Sequence, residues 1–130
     1  MVIIEESADN VLLEVGAGEN WDCFVQYCLR QCWYGLETLS LIPGLVGAAP
    51  VQNIGAYGVE MSDCCVAVEY LDLQSGAVSL LPFKQCQFGY RSSIFKERPN
   101  WFGKMFHSLT RTRAFFRFFV ALKRIFRRFY

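Results

Sequence analysis

The chain has 130 residues, of which 53% are hydrophobic, 16% aromatic and 19% charged, with a mean hydropathy of +0.21. That is enough apolar material for one domain with a core, too little chain for two, and it excludes disorder over most of the length. The formal charge of +1 hides a division: residues 1–100 hold 5 Lys and Arg against all 12 Asp and Glu, and residues 101–130 hold 8 Lys and Arg, no acid, and 8 of the 12 phenylalanines.

Met1–Glu6 has neither the basic start nor the apolar run of a signal peptide, so Cys23, Cys28, Cys32, Cys64, Cys65 and Cys86 are expected as reduced thiols in a cytoplasm. Val11–Val15 predicts a short strand, closed by Gly16-Ala17-Gly18. A helix follows, because Trp21, Phe24, Val25, Cys28, Leu29 and Cys32 recur with the helical period, with Asn20 as its cap and Gly35 just past its end. A further helical stretch at Leu36–Leu41 is cut off by Pro43-Gly44. Val66–Leu73 and Ala77–Leu81 read as a hairpin turned by Gln74-Ser75-Gly76, followed by a helical turn at Pro82–Gln87. The core is therefore expected to be α+β.

Residues 42–58 form an uncharged run with four glycines, two prolines and three alanines, and neither helix nor strand periodicity holds across it. Small residues let main-chain amides approach a ligand, and Gln52 and Asn53 add side-chain amides that suit a heterocycle edge. The same composition serves a tight buried connection between helix and sheet, and the residues alone leave both readings open. The run matches neither the dinucleotide pattern G-x-G-x-x-G nor the phosphate loop G-x-x-x-x-G-K.

The ordered set Gly16-Ala17-Gly18-Glu19-Asn20-Trp21, Gly35-Leu36-Glu37, Ile42-Pro43-Gly44, Val46-Gly47-Ala48-Ala49-Pro50, Gln52-Asn53-Ile54-Gly55-Ala56-Tyr57-Gly58 and Phe88-Gly89-Tyr90-Arg91-x-Ser93-Ile94-Phe95-Lys96 resembles the UDP-N-acetylenolpyruvoylglucosamine reductase family over about residues 11–98. The resemblance implies part of an FAD-binding domain of the vanillyl-alcohol-oxidase and p-cresol methylhydroxylase type. It implies FAD, with NADPH as hydride donor, and UDP-N-acetylglucosamine enolpyruvate as substrate in peptidoglycan synthesis. By the same resemblance Ile42, Pro43, Gly44, Gly47, Ala48, Pro50, Asn53, Ile54, Gly55, Ala56, Tyr57 and Gly58 would line the flavin. Arg91 matches the catalytic arginine, with Tyr90 beside it at the substrate. Ser92 stands where the family has Asp, which weakens the expected hold on Arg91. Ser93 matches a motif position other than the proton-donating serine. The family's pyrophosphate loop, that serine and the catalytic glutamate have no match here. The chain resembles roughly the middle third of the enzyme, and is expected to lack turnover alone and to hold FAD weakly.

No metal site is expected. Cys28 and Cys32 lie one helical turn apart but on an apolar face, and His107 reads as a surface residue. Residues 1–99 are expected to form the domain and residues 100–130 a basic aromatic tail. Phe115, Phe118, Phe119, Leu122, Ile125, Phe126 and Phe129 keep helical spacing there, so Trp101–Tyr130 predicts one amphipathic helix. That tail would be non-native or frame-shifted, or else it would bind a membrane surface; a nucleic-acid partner is not expected, and the oligomeric state is not legible.

Overall fold

A computed structural model describes residues 1–110. Its centre is a five-stranded antiparallel sheet in the order β1-β2-β7-β5-β6, with a separate two-stranded ribbon, β3-β4. The strands are β1 (Val2–Glu6), β2 (Asn10–Val15), β3 (Gly55–Ala56), β4 (Val59–Glu60), β5 (Cys65–Asp72), β6 (Val78–Pro82) and β7 (Trp101–Thr110). The helices are α1 (Trp21–Arg30) and the single turn α2 (Ile94–Glu97), with 3-10 turns at Glu37–Leu39, Val46–Ala48, Met61–Asp63 and Phe83–Gln85.

Strand β2 alternates as its sequence predicts. Val11, Leu13 and Val15 are fully buried while Asn10, Leu12 and Glu14 face the other side. Helix α1 lays Trp21, Phe24, Val25 and Cys28 into the same core, and the Asn20 side chain caps it by accepting from the Cys23 N–H at 3.0 Å. Trp21 is buried with its polar atom satisfied, since Nε1 donates to the Leu39 carbonyl at 2.8 Å. The helix stops earlier than Gly35. Cys32 takes the left-handed conformation (φ 59°), and the Trp33 N–H turns back to the Cys28 carbonyl at 2.9 Å. Asp22 on α1 accepts from the Leu41 N–H at 2.7 Å and the Ser40 hydroxyl at 2.9 Å. The Leu41 bond, with that from Ser40, holds its carboxyl below the usual range and aims the chain into residue 42.

The tail departs from expectation. Trp101–Thr110, expected as the start of an amphipathic helix, is a ten-residue strand. It lies in the middle of the sheet, pairing with β2 on one side (Val15 opposite Met105) and β5 on the other (Val68 opposite Met105). The sheet thus crosses the composition change at residues 98–100, and the membrane-surface reading loses the first third of its helix. The remaining residues on which that reading rested, 111–130, lie outside the described part of the chain, as does the side chain of His107. Strand β1 was not expected at all. Its five residues are exposed and it is held by pairing with β2, with Ile4 as the extra residue of a bulge.

The six thiols divide by burial. Cys28, Cys64, Cys65 and Cys86 are in the core, whereas Cys23 and Cys32 are exposed, so the Cys28–Cys32 spacing makes no joint site. Burial pushes the thiols of Cys28, Cys64 and Cys86 up to about 12 and that of Cys65 well above its ordinary value. Two outcomes follow for a native sample treated with a thiol reagent. Cys23 and Cys32 react promptly, and the other four react only with unfolding. Cys28, Cys64 and Cys86 ionise near pH 9 in the unfolded chain and near 12 in the folded one. Their contribution to stability is therefore complete below pH 9 and is lost between pH 9 and about 12. Melting temperatures at pH 7 and pH 10 read this directly; no fall, with four thiols still protected, contradicts it.

Candidate functional site

Residues 42–58 are folded mostly against the chain itself. The loop that follows β2 receives them first: the Gly47 N–H donates to the Ala17 carbonyl and the Val46 N–H to the Glu19 carbonyl, both at 2.9 Å, while the Trp21 N–H donates to the Gly44 carbonyl at 3.0 Å. Further on, the N–H groups of Ala48, Ala49, Val51, Asn53 and Ile54 donate to carbonyls within 45–50. These amides are spent on the segment's own shape, which is the tight-connection reading. A ligand meets what remains outside: Pro43, Gly44, Ala48, Gln52, Tyr57 and Gly58 are exposed, and Ile42, Gly47, Ile54, Gly55 and Ala56 are half-buried. Pro50 and Asn53 are buried.

The segment ends in the β3-β4 ribbon, turned by Tyr57-Gly58 with φ of 54° and 79°. Two consecutive left-handed residues are what a two-residue hairpin turn with the native strand twist requires. Tyr57 stands 94% exposed at the tip. Gly55 has a different constraint. A Cβ there would sit 2.9 Å from the Val59 carbonyl oxygen and 3.2 Å from Glu60 Cγ. Gly55→Ala is accordingly expected to push the ribbon apart and to cost about 1–3 kcal/mol in a urea titration; an unchanged midpoint contradicts the close approach.

Arg91 reaches this ribbon from a distant part of the sequence. Gly89 and Ser92 exchange main-chain hydrogen bonds at 3.0 and 3.2 Å, leaving Tyr90 and Arg91 as the two residues of a tight turn. Arg91 is left-handed (φ 51°), and its Nη2 donates to the Gly55 carbonyl at 2.7 Å. Its guanidinium carbon is 5.9 Å from the Tyr90 ring centroid, and Lys96 Nζ donates to the Arg91 carbonyl at 3.2 Å. Tyr90 and Arg91 are both exposed. The arginine and the uncharged segment, linked before only through a family resemblance, are thus in contact.

Asn53 has a position its sequence did not reveal. It is fully buried, left-handed (φ 42°), and its amide is committed inside the protein. Nδ2 donates to Glu60 Oε2 and to the Gly89 carbonyl, each at 3.0 Å, and Oδ1 accepts from the Ser62 N–H at 3.0 Å. The side chain offered to a heterocycle edge is therefore a structural node. Ser93 is similarly hidden, donating to the Val51 carbonyl at 2.9 Å and capping α2 through the Phe95 N–H at 3.2 Å. A side-chain amide, next to that of Gln52, inside an uncharged run was the only signal for Asn53, and it reads equally as ligand or as node. Among the described residues no group of three or more His, Cys, Asp or Glu is placed to hold a metal.

The sheet with its glycine-bearing loops defines the class. The family model of the FAD binding domain matches residues 2–80, and the chain belongs to that family. At the level of particular proteins it is similar to the UDP-N-acetylenolpyruvoylglucosamine reductase of Photobacterium profundum, with 54% identity over 95 residues, covering 73% of this chain and 28% of that protein. The enzyme of the same name from Pseudomonas aeruginosa is 53% identical over 98 residues, 75% of this chain and 29% of the relative. The crystal structure of UDP-N-acetylenolpyruvylglucosamine reductase from Thermus caldophilus superimposes with a TM-score of 0.67 at 30% identity, covering 88% of this chain and 43% of that one. The chain thus spans little more than a quarter of the length of the curated relatives it matches. The expectation of a mixed helix-and-sheet FAD-binding fold stands.

Proposed function

We propose that this chain forms the flavin-facing wall of a reductase that uses FAD and NADPH to convert UDP-N-acetylglucosamine enolpyruvate to UDP-N-acetylmuramate in peptidoglycan synthesis. The observation that carries the reading is the 2.7 Å bond from Arg91 to the Gly55 carbonyl, which joins two of the segments that carry the family resemblance. The residues suit the cofactor. The outer side of 42–58 has no acid to repel a diphosphate, and a Cβ at Gly44 or Gly58 would meet nothing within 4 Å, so the main chain there is open to a flat ligand. FAD, when bound, supplies an acceptor and donor of hydride.

The protein's own part follows from its side chains. The uncharged wall offers contact area with few donors left to compete with water. Arg91 uses one of its five N–H donors on Gly55, and the rest remain for a planar carboxylate. It is charged at any working pH, binds two oxygens at once, and favours the negative charge that grows toward a carboxylate during reduction of a neighbouring double bond. Tyr90, beside the guanidinium, would limit how the substrate enters. The proposed compartment is the cytoplasm, in keeping with six free cysteines. No helix among the described residues is long and apolar enough to cross a membrane.

Two measurements test the reading. Hydrogen exchange of the chain with excess FAD is expected to slow in 42–58, with the β1 amides unaffected. A chimera carrying the matched 95 residues in place of the corresponding stretch of the Photobacterium profundum enzyme is expected to oxidise NADPH when given the enolpyruvyl substrate, and to lose that activity with Arg91→Ala. No protection by FAD, or a chimera indifferent to Arg91→Ala, overturns the proposal.

A further inference from the structure

The contact between the two segments is made by side chains. Three hydrogen bonds cross it at alternate positions: Ser93 Oγ to the Val51 carbonyl at 2.9 Å, Asn53 Nδ2 to the Gly89 carbonyl at 3.0 Å, and Arg91 Nη2 to the Gly55 carbonyl at 2.7 Å. The side chains that make the first two are buried, Ser93 2% and Asn53 0% exposed, against the half-buried Val51 and Gly89, whereas Arg91 is at the surface. This difference matters. A lone exposed hydrogen bond competes with water and is made only part of the time, while one made by a buried side chain resists opening because water is not at hand to replace the lost partner. Arg91 also carries the left-handed conformation that an L residue adopts only under constraint.

We propose that Asn53 and Ser93 are positioning residues for Arg91. They fix the register of the 89–93 turn on the 51–55 wall, so that the guanidinium is delivered to one place with its outward donors aligned for a carboxylate ligand. The Gly55 bond is then the exchangeable end of a seam locked at two buried points. The link to a carboxylate rests on the function proposed above; the seam does not.

The test uses the full chain labelled with 15N-arginine, the Arg91 guanidinium signals being those lost in Arg91→Lys. Removing the Asn53 amide endangers the fold, so the deciding variant is Ser93→Ala. Loss of its bond to Val51 is expected to speed exchange of the Arg91 guanidinium protons roughly three- to tenfold. The Trp21 Nε1–H signal, held on Leu39, stays in place and reports an intact core. Ser93→Thr, which keeps the hydroxyl, restores the slow exchange. A merely structural serine would leave the Arg91 signals alone once the core is intact. Unchanged Arg91 exchange in folded Ser93→Ala overturns the proposal, as does equal acceleration in Ser93→Thr. Adding FAD to the unmutated chain is a separate arm: absence of any shift in 42–58 defeats the cofactor reading and leaves the seam standing.

Discussion

Proline at Met105 is expected to abolish cooperative unfolding, whereas proline at Ile4 leaves a folded protein. Met105 lies in β7 with Val15 opposite on one side and Val68 opposite on the other. A proline there removes an N–H from one ladder, and its ring displaces the strand from its neighbours, a loss of about 3 kcal/mol or more. The position magnifies it, because among the described residues β7 is the only strand joining the β1-β2 pair to the β5-β6 pair. A small domain has in total about 5–15 kcal/mol. Ile4, by contrast, is the unpaired residue of a bulge on the edge strand β1, where proline is tolerated. Urea titration followed by near-ultraviolet dichroism separates the two. A Met105→Pro protein with the parent's transition would mean that β7 is not the middle of the sheet.

Asn53→Ala is expected to cost about 3–5 kcal/mol, among the largest single effects this chain can show. The substitution deletes three hydrogen bonds and leaves the Ser62 N–H without a partner in the interior, while the Gly89 carbonyl keeps only the Ser92 N–H. That orphaned donor alone adds about 1–3 kcal/mol. Alanine is also less tolerant than asparagine of the left-handed backbone at φ 42°. Gln52→Ala, one residue away but exposed, is the control and is expected to change stability by less than about 0.5 kcal/mol. Equal midpoints for the two variants would refute the account of Asn53 as a node.

The parts of the fold legible in the sequence are those whose burial is written in a local period. Val11, Leu13 and Val15 alternate, Trp21 to Cys32 repeat with the helix, and Val66–Leu73 with Ala77–Leu81 flank an obvious turn; the strands are present within a residue or two, and the helix is present but ends at Arg30, short of Gly35. Strand β1 has no buried face and so leaves no pattern to read. Strand β7 owes its place to β2 and β5, elements roughly 30 to 100 residues earlier, and a basic aromatic composition gave no hint of that pairing. The site divides the same way. The irregular character of 42–58 followed from its glycines and prolines, and the pairing of that segment with Arg91 came from family likeness rather than from residue physics. The spent amide of Asn53 was beyond either, since hydrogen-bond partners 7, 9 and 36 residues away decide it. Left-handed Cys32, Leu41, Tyr57, Gln87 and Arg91 were equally hidden, because none is glycine.

The late arrival of β7 also bears on synthesis. A ribosome delivers Asn10–Val15 roughly 90 residues before the strand that completes its pairing, and Cys65–Asp72 some 30 residues before the same event. Until Thr110 has emerged, the main sheet exists only as two hairpins, β1-β2 and β5-β6, each with an inner edge of open amides and carbonyls as well as its outer one. Such edges template association with other chains, and pairing across long sequence separation is slow. The interval between making residue 72 and residue 110 is therefore the period in which this polypeptide is most exposed to self-association, and trigger-type holding factors or slower growth at low temperature should raise its soluble yield most when supplied in that window.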